Sequence, residues 1–244
     1  MRVTEICRYA TQPINKLIEE LHNPKEANEA MLLGTAWHSM VLRKNRYEKE
    51  PPADIEVLDF LNYRTKEAQE LKVNAINQGK TPILKKDFLD LQRGLAFLLK
   101  DLDKIFINGG EYEKELRGDV GNFKNIVGHL DFVNAEEVID LKITSKCDDF
   151  SKIIFDSGYQ LQVYLYMCLA GLENARIVFI NPNSLTIDVV NLDKHTLKTE
   201  CDELLELAEA KMIKVLEAES APLVSYHTYE TPQWAYAKML KDKE

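Results

Sequence analysis

The chain of 244 residues has little of what marks exported, membrane-bound or cluster-bearing proteins. Nowhere do eighteen apolar residues run together, so no segment reads as a membrane span. The opening, MRVTEICRYATQPINKL, lacks the apolar run and small-residue cleavage site that export requires, and a cytoplasmic protein is expected. Only four cysteines occur, Cys7, Cys147, Cys168 and Cys201. They lie far apart without a C-x-x-C pair, which fits neither a disulfide framework nor a zinc or iron–sulfur cage. They read as reduced thiols, mostly packing residues. Positive charge is also in deficit: 31 Lys and Arg stand against 40 Asp and Glu, a formal net charge of -9. That sign argues against indiscriminate adhesion to nucleic acid or anionic membrane, so a polyanionic partner needs a locally positive site. Candidates are Arg43, Lys44 and Arg46, then Lys80, Lys85 and Lys86, then Lys142 and Lys146, although short basic runs are most often solvated surface. Repeats and low-complexity stretches are absent. With 45% hydrophobic and 29% charged residues, the chain can bury about 70–75% of its unfolded surface, and disorder is excluded.

The pattern that remains predicts a single domain: a mainly helical part over 1–108, a mixed core over 109–219 and an irregular tail over 220–244. The one candidate linker is the charged, Pro-bearing stretch from Glu48 to Asp54. Asn23 before Pro24 is a helix-start signal, and a helix is expected from there to Leu42. Phe88, Leu91, Leu95, Leu98 and Leu102 recur in steps of three and four behind a possible cap at Asp87, which predicts a second helix with one buried face. After Gly109-Gly110 the period changes. EYEKELRGDV and FKNIVGHLDFV, joined at Gly121-Asn122, read as two strands, and VIDLKIT as a third. Residues 159–172 read as a helix packed on that sheet. ARIVFI and LTIDVVNL read as two more strands, and 193–219 as a closing helix. The fold class is α/β, a mixed central sheet flanked by helices.

Chemistry concentrates on the third strand and the one before it. Asp131 and Asp140 sit on adjoining apolar strands, with Lys142 two positions after the second, and period-two alternation points Asp140 and Lys142 to one face. An Asp inside VIDLKI costs several kcal/mol if buried unpaired, so it needs a cation, either the lysine ammonium or a metal. Oxygen ligands favour Mg²⁺ or Mn²⁺ over zinc. Hydrolysis of a phosphodiester needs a nucleophilic water, neutralised phosphoryl oxygens and a stabilised leaving oxygen, for which two carboxylates and a lysine are a minimal kit. A structural ion pair accounts for Asp140 and Lys142 equally well.

These residues resemble the PD-(D/E)XK nuclease motif, and flanking segments resemble one branch of that superfamily. GYQLQVYLY, residues 158–166, is similar to the Y-x-x-Q-x-x-x-Y helix of RecB-like nucleases, and Gln162 and Tyr166 share one helix face. AMLLGTAWHSMVL, residues 30–42, is similar to the G-T-x-x-H segment of the exonuclease VIII (RecE) nuclease domain. Arg64-Thr65-Lys66-Glu67, then Gly79-Lys80, follow the same family order. The likeness covers roughly residues 5 to 220, and Ile143-Thr144-Ser145 is a mild departure from the two threonines usual after the lysine.

The resemblance implies a restriction-endonuclease-like core with its metal site at the sheet edge. It implies metal ligation by Asp131, Asp140 and the Leu141 carbonyl, Lys142 positioning or activating water, and His38 completing or bordering the metal shell. An acid is implied on the strand before Asp131, where Glu113 and Glu115 both qualify and Glu113 is preferred. A three-residue turn over Gly121-Asn122-Phe123 would face Glu113 towards Asp131, and a one-residue slip would turn it away. Gln162 and Tyr166 are implied to orient the scissile strand or the lysine. His129, by alternation, points away. The implied activity is a Mg²⁺-dependent exonuclease, Mn²⁺ substituting, that digests linear double-stranded DNA from the 5′ end in phage-type recombination, in a bacterial or phage-encoded cytoplasmic setting. A single-strand annealing protein and a homo-oligomeric ring are the implied partners. The alternatives are a structure-specific or CRISPR-associated endonuclease of the same superfamily, and a catalytically silent DNA-binding or assembly protein.

Overall fold

Residues 1–23, 27–106, 109–145 and 149–220 are described in a computed structural model. Pro24, Lys146, Cys147 and the expected tail beyond Ser220 lie outside them. The helical front begins earlier than the Asn23-Pro24 signal implies. Two nine-residue helices, α1 (Val3–Thr11) and α2 (Ile14–His22), come first, and Asn23 closes α2 instead of opening a helix. The next helix, α3 (Glu29–Leu42), starts at Asn28, whose side chain accepts from the Met31 N–H at 2.9 Å and so satisfies one of the free donors of the first turn. Two strands of four residues, β1 (Ile55–Leu58) and β2 (Thr81–Leu84), pair in parallel through the crossover helix α4 (Lys66–Asn77). The apolar-striped helix α5 (Lys85–Ile105) follows β2 without a loop, so it begins two residues before the expected Asp87 cap; Asp87 instead lies in the first turn, where its charge favours the helix dipole.

The central sheet contains every strand expected after Gly110: β3 (Glu111–Val120), β4 (Phe123–Val133), β5 (Glu137–Ile143), β6 (Asn174–Asn181) and β7 (Thr186–Asp193), side by side in that order. β5 and β6 pair in parallel, and every other neighbour in the sheet pairs antiparallel. A parallel pair needs a crossover, which α6 (Phe150–Ser157) and α7 (Tyr159–Ala170) provide. Gly158, at φ +70°, joins the two helices, and a Cβ there would meet Thr11 Cγ2 at 2.7 Å. The closing helix α8 (Lys194–Ser220) packs with α1 and α7 on one face of the sheet; α3 and α5 cover the other. β6 shows the sorting directly: Ala175, Ile177 and Phe179 enter the first core, Val178 and Ile180 the second. The mixed sheet flanked by helices is therefore the architecture the sequence implies. No helix among the described residues is long and apolar enough to cross a membrane.

The long hairpin reaches its expected register by an unexpected route. The turn has two residues, because Val120 pairs with Phe123, and the extra residue is on β4, where Lys124 and Asn125 oppose Asp119; Asn125 has a left-handed φ of +49°, and its N–H donates to the Asp119 side chain at 2.8 Å. Further along, Gly128 lies under α7, where a Cβ would sit 2.9 Å from Leu169 Cδ1 and 3.0 Å from Tyr166 Cε1. Gly128→Val, suited to a strand but too large here, should lower stability by about 1–3 kcal/mol in urea unfolding. Wild-type stability would show that α7 can lift off β4 freely.

Candidate active site

The site forms where the sheet comes apart. β4 and β5 pair only at Phe132 with Ile139 and at Val133 with Val138. The next rung would set Asp131 against Asp140, and there the ladder stops. In its place the Asp131 side chain crosses the gap, Oδ2 accepting from the Leu141 N–H at 2.7 Å. The same rung is irregular towards β3: Tyr112 pairs with Phe132 and Lys114 with Leu130, no pair forms between Glu113 and Asp131, and Glu113 has a left-handed φ of +49°. Both strands roll over at this point. Tyr112 and Phe132 pack in the second core, whereas Leu116 and Leu130 pack in the first, a switch of face that regular strands forbid. Since β4 and β5 are interior strands, the expectation of a site at the sheet edge is corrected: it lies at a split within the sheet.

Asp140, 2% exposed, shares its face with Lys142, and the ammonium lies 2.8 Å from Asp140 Oδ2. Among the described residues that buried oxygen has no polar partner besides the ammonium. Lys142 Nζ donates to Gln162 Oε1 at 3.1 Å, and Gln162 Nε2 donates to the Tyr166 hydroxyl at 2.9 Å. Burial alone would lower the Lys142 pKa, but Asp140 and Asp131 outweigh it and hold the ammonium above its ordinary value. Burial, then the negative charge of Asp140, holds the Tyr166 phenol well above its usual range, so it stays neutral. Sequence reasoning gave two neighbours no role, although Tyr159 opens the Y-x-x-Q-x-x-x-Y segment itself. Tyr159, one turn before Gln162, lies with its ring centroid 4.5 Å from the Lys142 ammonium, and i, i+3 spacing within the same helix could have revealed it. Cys7, brought by α1, borders the same charges and is pushed up to about 12 by burial, Lys142 pulling the other way, so it is an unreactive thiol at neutral pH.

On the other side of the split, His38 Nδ1 stands 3.9 Å from Asp131 Oδ1, too far for a hydrogen bond. Burial and the charge of Lys142 lower the imidazole to about 4, so it is neutral and open to ligation. Glu113 lies on the rung of Asp131 and contributes negative charge to it, whereas Glu115 pairs with Arg117 at 2.8 Å and with His129 at 3.6 Å on an exposed face. Of the two acids, geometry keeps Glu113. Leu141 engages the site through its N–H, its side chain lying in the second core. Among the described residues, no three His, Cys, Asp or Glu side chains converge tightly enough to enclose an ion. The donors still fit a hard cation such as Mg²⁺, which binds through one or two carboxylates and retains waters: the charge of Asp140 acts directly on Asp131, and Asp131 Oδ1 stands 3.9 Å from the neutral His38 imidazole.

An interior sheet split by a carboxylate, with a buried lysine on the adjoining strand and a glutamine–tyrosine helix behind it, is consistent with the restriction-endonuclease-like nuclease fold. Among solved structures, the "Putative exonuclease" of Eubacterium rectale aligns over 95% of this chain and 90% of its own, at 14% identity and a TM-score of 0.61, which shows a shared fold. A phage related exonuclease from Haemophilus somnus aligns over 90% of this chain and 96% of its own, at 15% identity and TM-score 0.40. For an alkaline exonuclease from Laribacter hongkongensis the values are 74%, 88%, 14% and 0.35. Neither a family model nor a curated protein matches the sequence.

Burial and the charge of Asp140 raise Asp131 to about 7, against the pull of Lys142 and the Leu141 N–H. An acid raised on folding binds more protons folded than unfolded, so stability is lost as pH rises from its unfolded value towards about 7. Thermal unfolding in a chelator should therefore separate wild type from Asp131→Asn. The variant should be the more stable above pH 7, and the two should converge near pH 4; parallel curves across that window would contradict the assignment.

Proposed function

We propose that the chain is a Mg²⁺-dependent deoxyribonuclease, acting as an exonuclease on linear double-stranded DNA. The observation that carries this reading is the meeting of Asp131, Asp140 and Lys142 at the split between β4 and β5, with Gln162 and Tyr166 behind the lysine. The carboxylates of Asp131 and Asp140 and the Leu141 carbonyl would hold the cation, with His38 and Glu113 bordering it. Mn²⁺ would serve in its place. When bound, Mg²⁺ supplies charge neutralisation at the phosphoryl oxygens and acidifies a coordinated water.

The remaining work falls to the side chains. Lys142, a compact ammonium held between Asp140, Gln162 and the Tyr159 ring, orients the attacking water or steadies a phosphoryl oxygen. Gln162 fixes the lysine through one end of its amide and Tyr166 through the other, so α7 sets the aim of the ammonium. The G-T-x-x-H and Y-x-x-Q-x-x-x-Y segments support the finer reading of digestion from the 5′ end in recombination. That reading includes a single-strand annealing protein as partner, a homo-oligomeric ring around the DNA and a cytoplasmic location.

End-labelled linear duplex, incubated with Mg²⁺ and compared with a covalently closed circle, tests the proposal. Release of the 5′ label first, with the circle untouched, is expected. Asp140→Asn and Lys142→Met should each abolish cleavage. Each also leaves a buried charge without its partner, at a cost of about 3–5 kcal/mol, so circular dichroism at low temperature should accompany the assay. Cleavage at the wild-type rate by either folded variant would refute the assignment.

A further inference from the structure

A groove of about 920 Å³ lies between the end of α3, the residues just after it, the turn after β1 and the outer face of α5, and none of the active-site residues lines it. Six of its lining side chains are Lys or Arg, against the three carboxylates Glu48, Asp59 and Asp90, in a chain whose net charge is -9. Two of the basic clusters visible in the sequence, around Arg43 and around Lys85, are thus brought to one place. Half of this charge is neutralised locally: Lys85 pairs with Asp59 at 2.6 Å, Arg93 with Asp90, and the buried Arg46 with Asp103 at 3.3 Å. Lys49 and Lys86 are exposed and form no ion pair among the described residues. The Arg43 guanidinium donates to the backbone carbonyls of Glu48 and Glu50 and to no carboxylate.

The walls are preformed. Gln92 on α5 donates to the Lys49 carbonyl, and Arg43 ties down the same loop. On that loop Tyr47 is 68% exposed, yet its hydroxyl is fixed at 2.6 Å from Asp103 Oδ2, so the ring stands as a rigid platform facing solvent. Leu61, 95% exposed, and Leu89, 48% exposed, complete the apolar lining. Lys86 on α5 and Lys49 and Arg43 on the opposite wall carry positive charge not paired to a carboxylate, so that charge is spread along the groove instead of gathered at one point. A single small anion needs one point of charge. A phosphodiester strand needs charge along a track and an aromatic or apolar surface for its bases.

We propose that this groove binds single-stranded nucleic acid, at a site separate from Asp131, Asp140 and Lys142 and independent of the nuclease reading above. The phosphates run past Lys86, Lys49 and Arg43, and a base stacks on Tyr47. Because the site needs no divalent ion, it binds in a chelator.

The test is fluorescence anisotropy of a labelled oligothymidylate of about fifteen nucleotides, in EDTA, with the full chain. Wild type should bind, and affinity should fall with salt. Lys49→Glu with Lys86→Glu should weaken binding at least tenfold and flatten the salt slope by about 0.7 per lost phosphate contact. Tyr47→Ala should weaken it several-fold with little change in slope. Cleavage of a short duplex with Mg²⁺, assayed on the same proteins, separates the two readings. Groove-dependent binding without cleavage by wild type upholds this site and defeats the nuclease reading. Cleavage alongside unchanged binding by the groove variants does the reverse. Absence of oligonucleotide binding overturns the proposal, and so does saturation of the groove by a Glu/Leu amphipathic peptide that the oligonucleotide cannot displace.

Discussion

A carboxylate and an ammonium 2.8 Å apart, Asp140 and Lys142, lie almost out of reach of water, and the rest of the site is arranged around them. Each would be costly to bury alone, and their attraction offsets that cost only if the remaining polar atoms are also satisfied. Gln162 satisfies the lysine, Tyr166 satisfies Gln162, and the Tyr159 ring lies beside the ammonium. A purely structural ion pair leaves little reason for a second carboxylate to be held across the same gap. Asp131 takes the Leu141 N–H that the interrupted ladder releases, so the break in the sheet and the site are one feature.

The split also explains the division of labour around the sheet. α7 is buried along most of its length and brings Tyr159, Gln162 and Tyr166 to one side of β5; α3, on the opposite layer, brings His38 to Asp131. Gly128 lets α7 approach β4 closely, with Tyr166 and Leu169 resting against its backbone. Packing of the two cores against a divided sheet thus sets the distances on which any chemistry depends.

Much of this was legible in the sequence, because alternation along VIDLKI already placed Asp140 and Lys142 on one face and the turn at Gly121-Asn122 already centred the hairpin. Glu113 reaches the expected rung, that of Asp131, by a different turn: two residues and an extra β4 residue at Lys124-Asn125 do what three turn residues were expected to do. What stayed hidden depends on long-range pairing. A strand list cannot reveal that β6 adds beside β5 and so moves the site from the edge to the interior. Helices of nine residues and strands of four are too short to show a period, so α1, α2, β1 and β2 escaped, and with α1 the approach of Cys7. The left-handed backbone of Glu113 had no signal either, since nothing in a glutamate announces it.

Net negative charge and a nucleic-acid substrate are compatible only if charge is distributed unevenly, and the groove beside α5 is one place where it is. The central claim, however, concerns the carboxylates. Isothermal titration of the metal-free chain with Mn²⁺ tests it most directly: wild type should take up the ion, and Asp131→Asn or Asp140→Asn should weaken uptake at least tenfold. No uptake by wild type, or equal uptake by all three proteins, would contradict it.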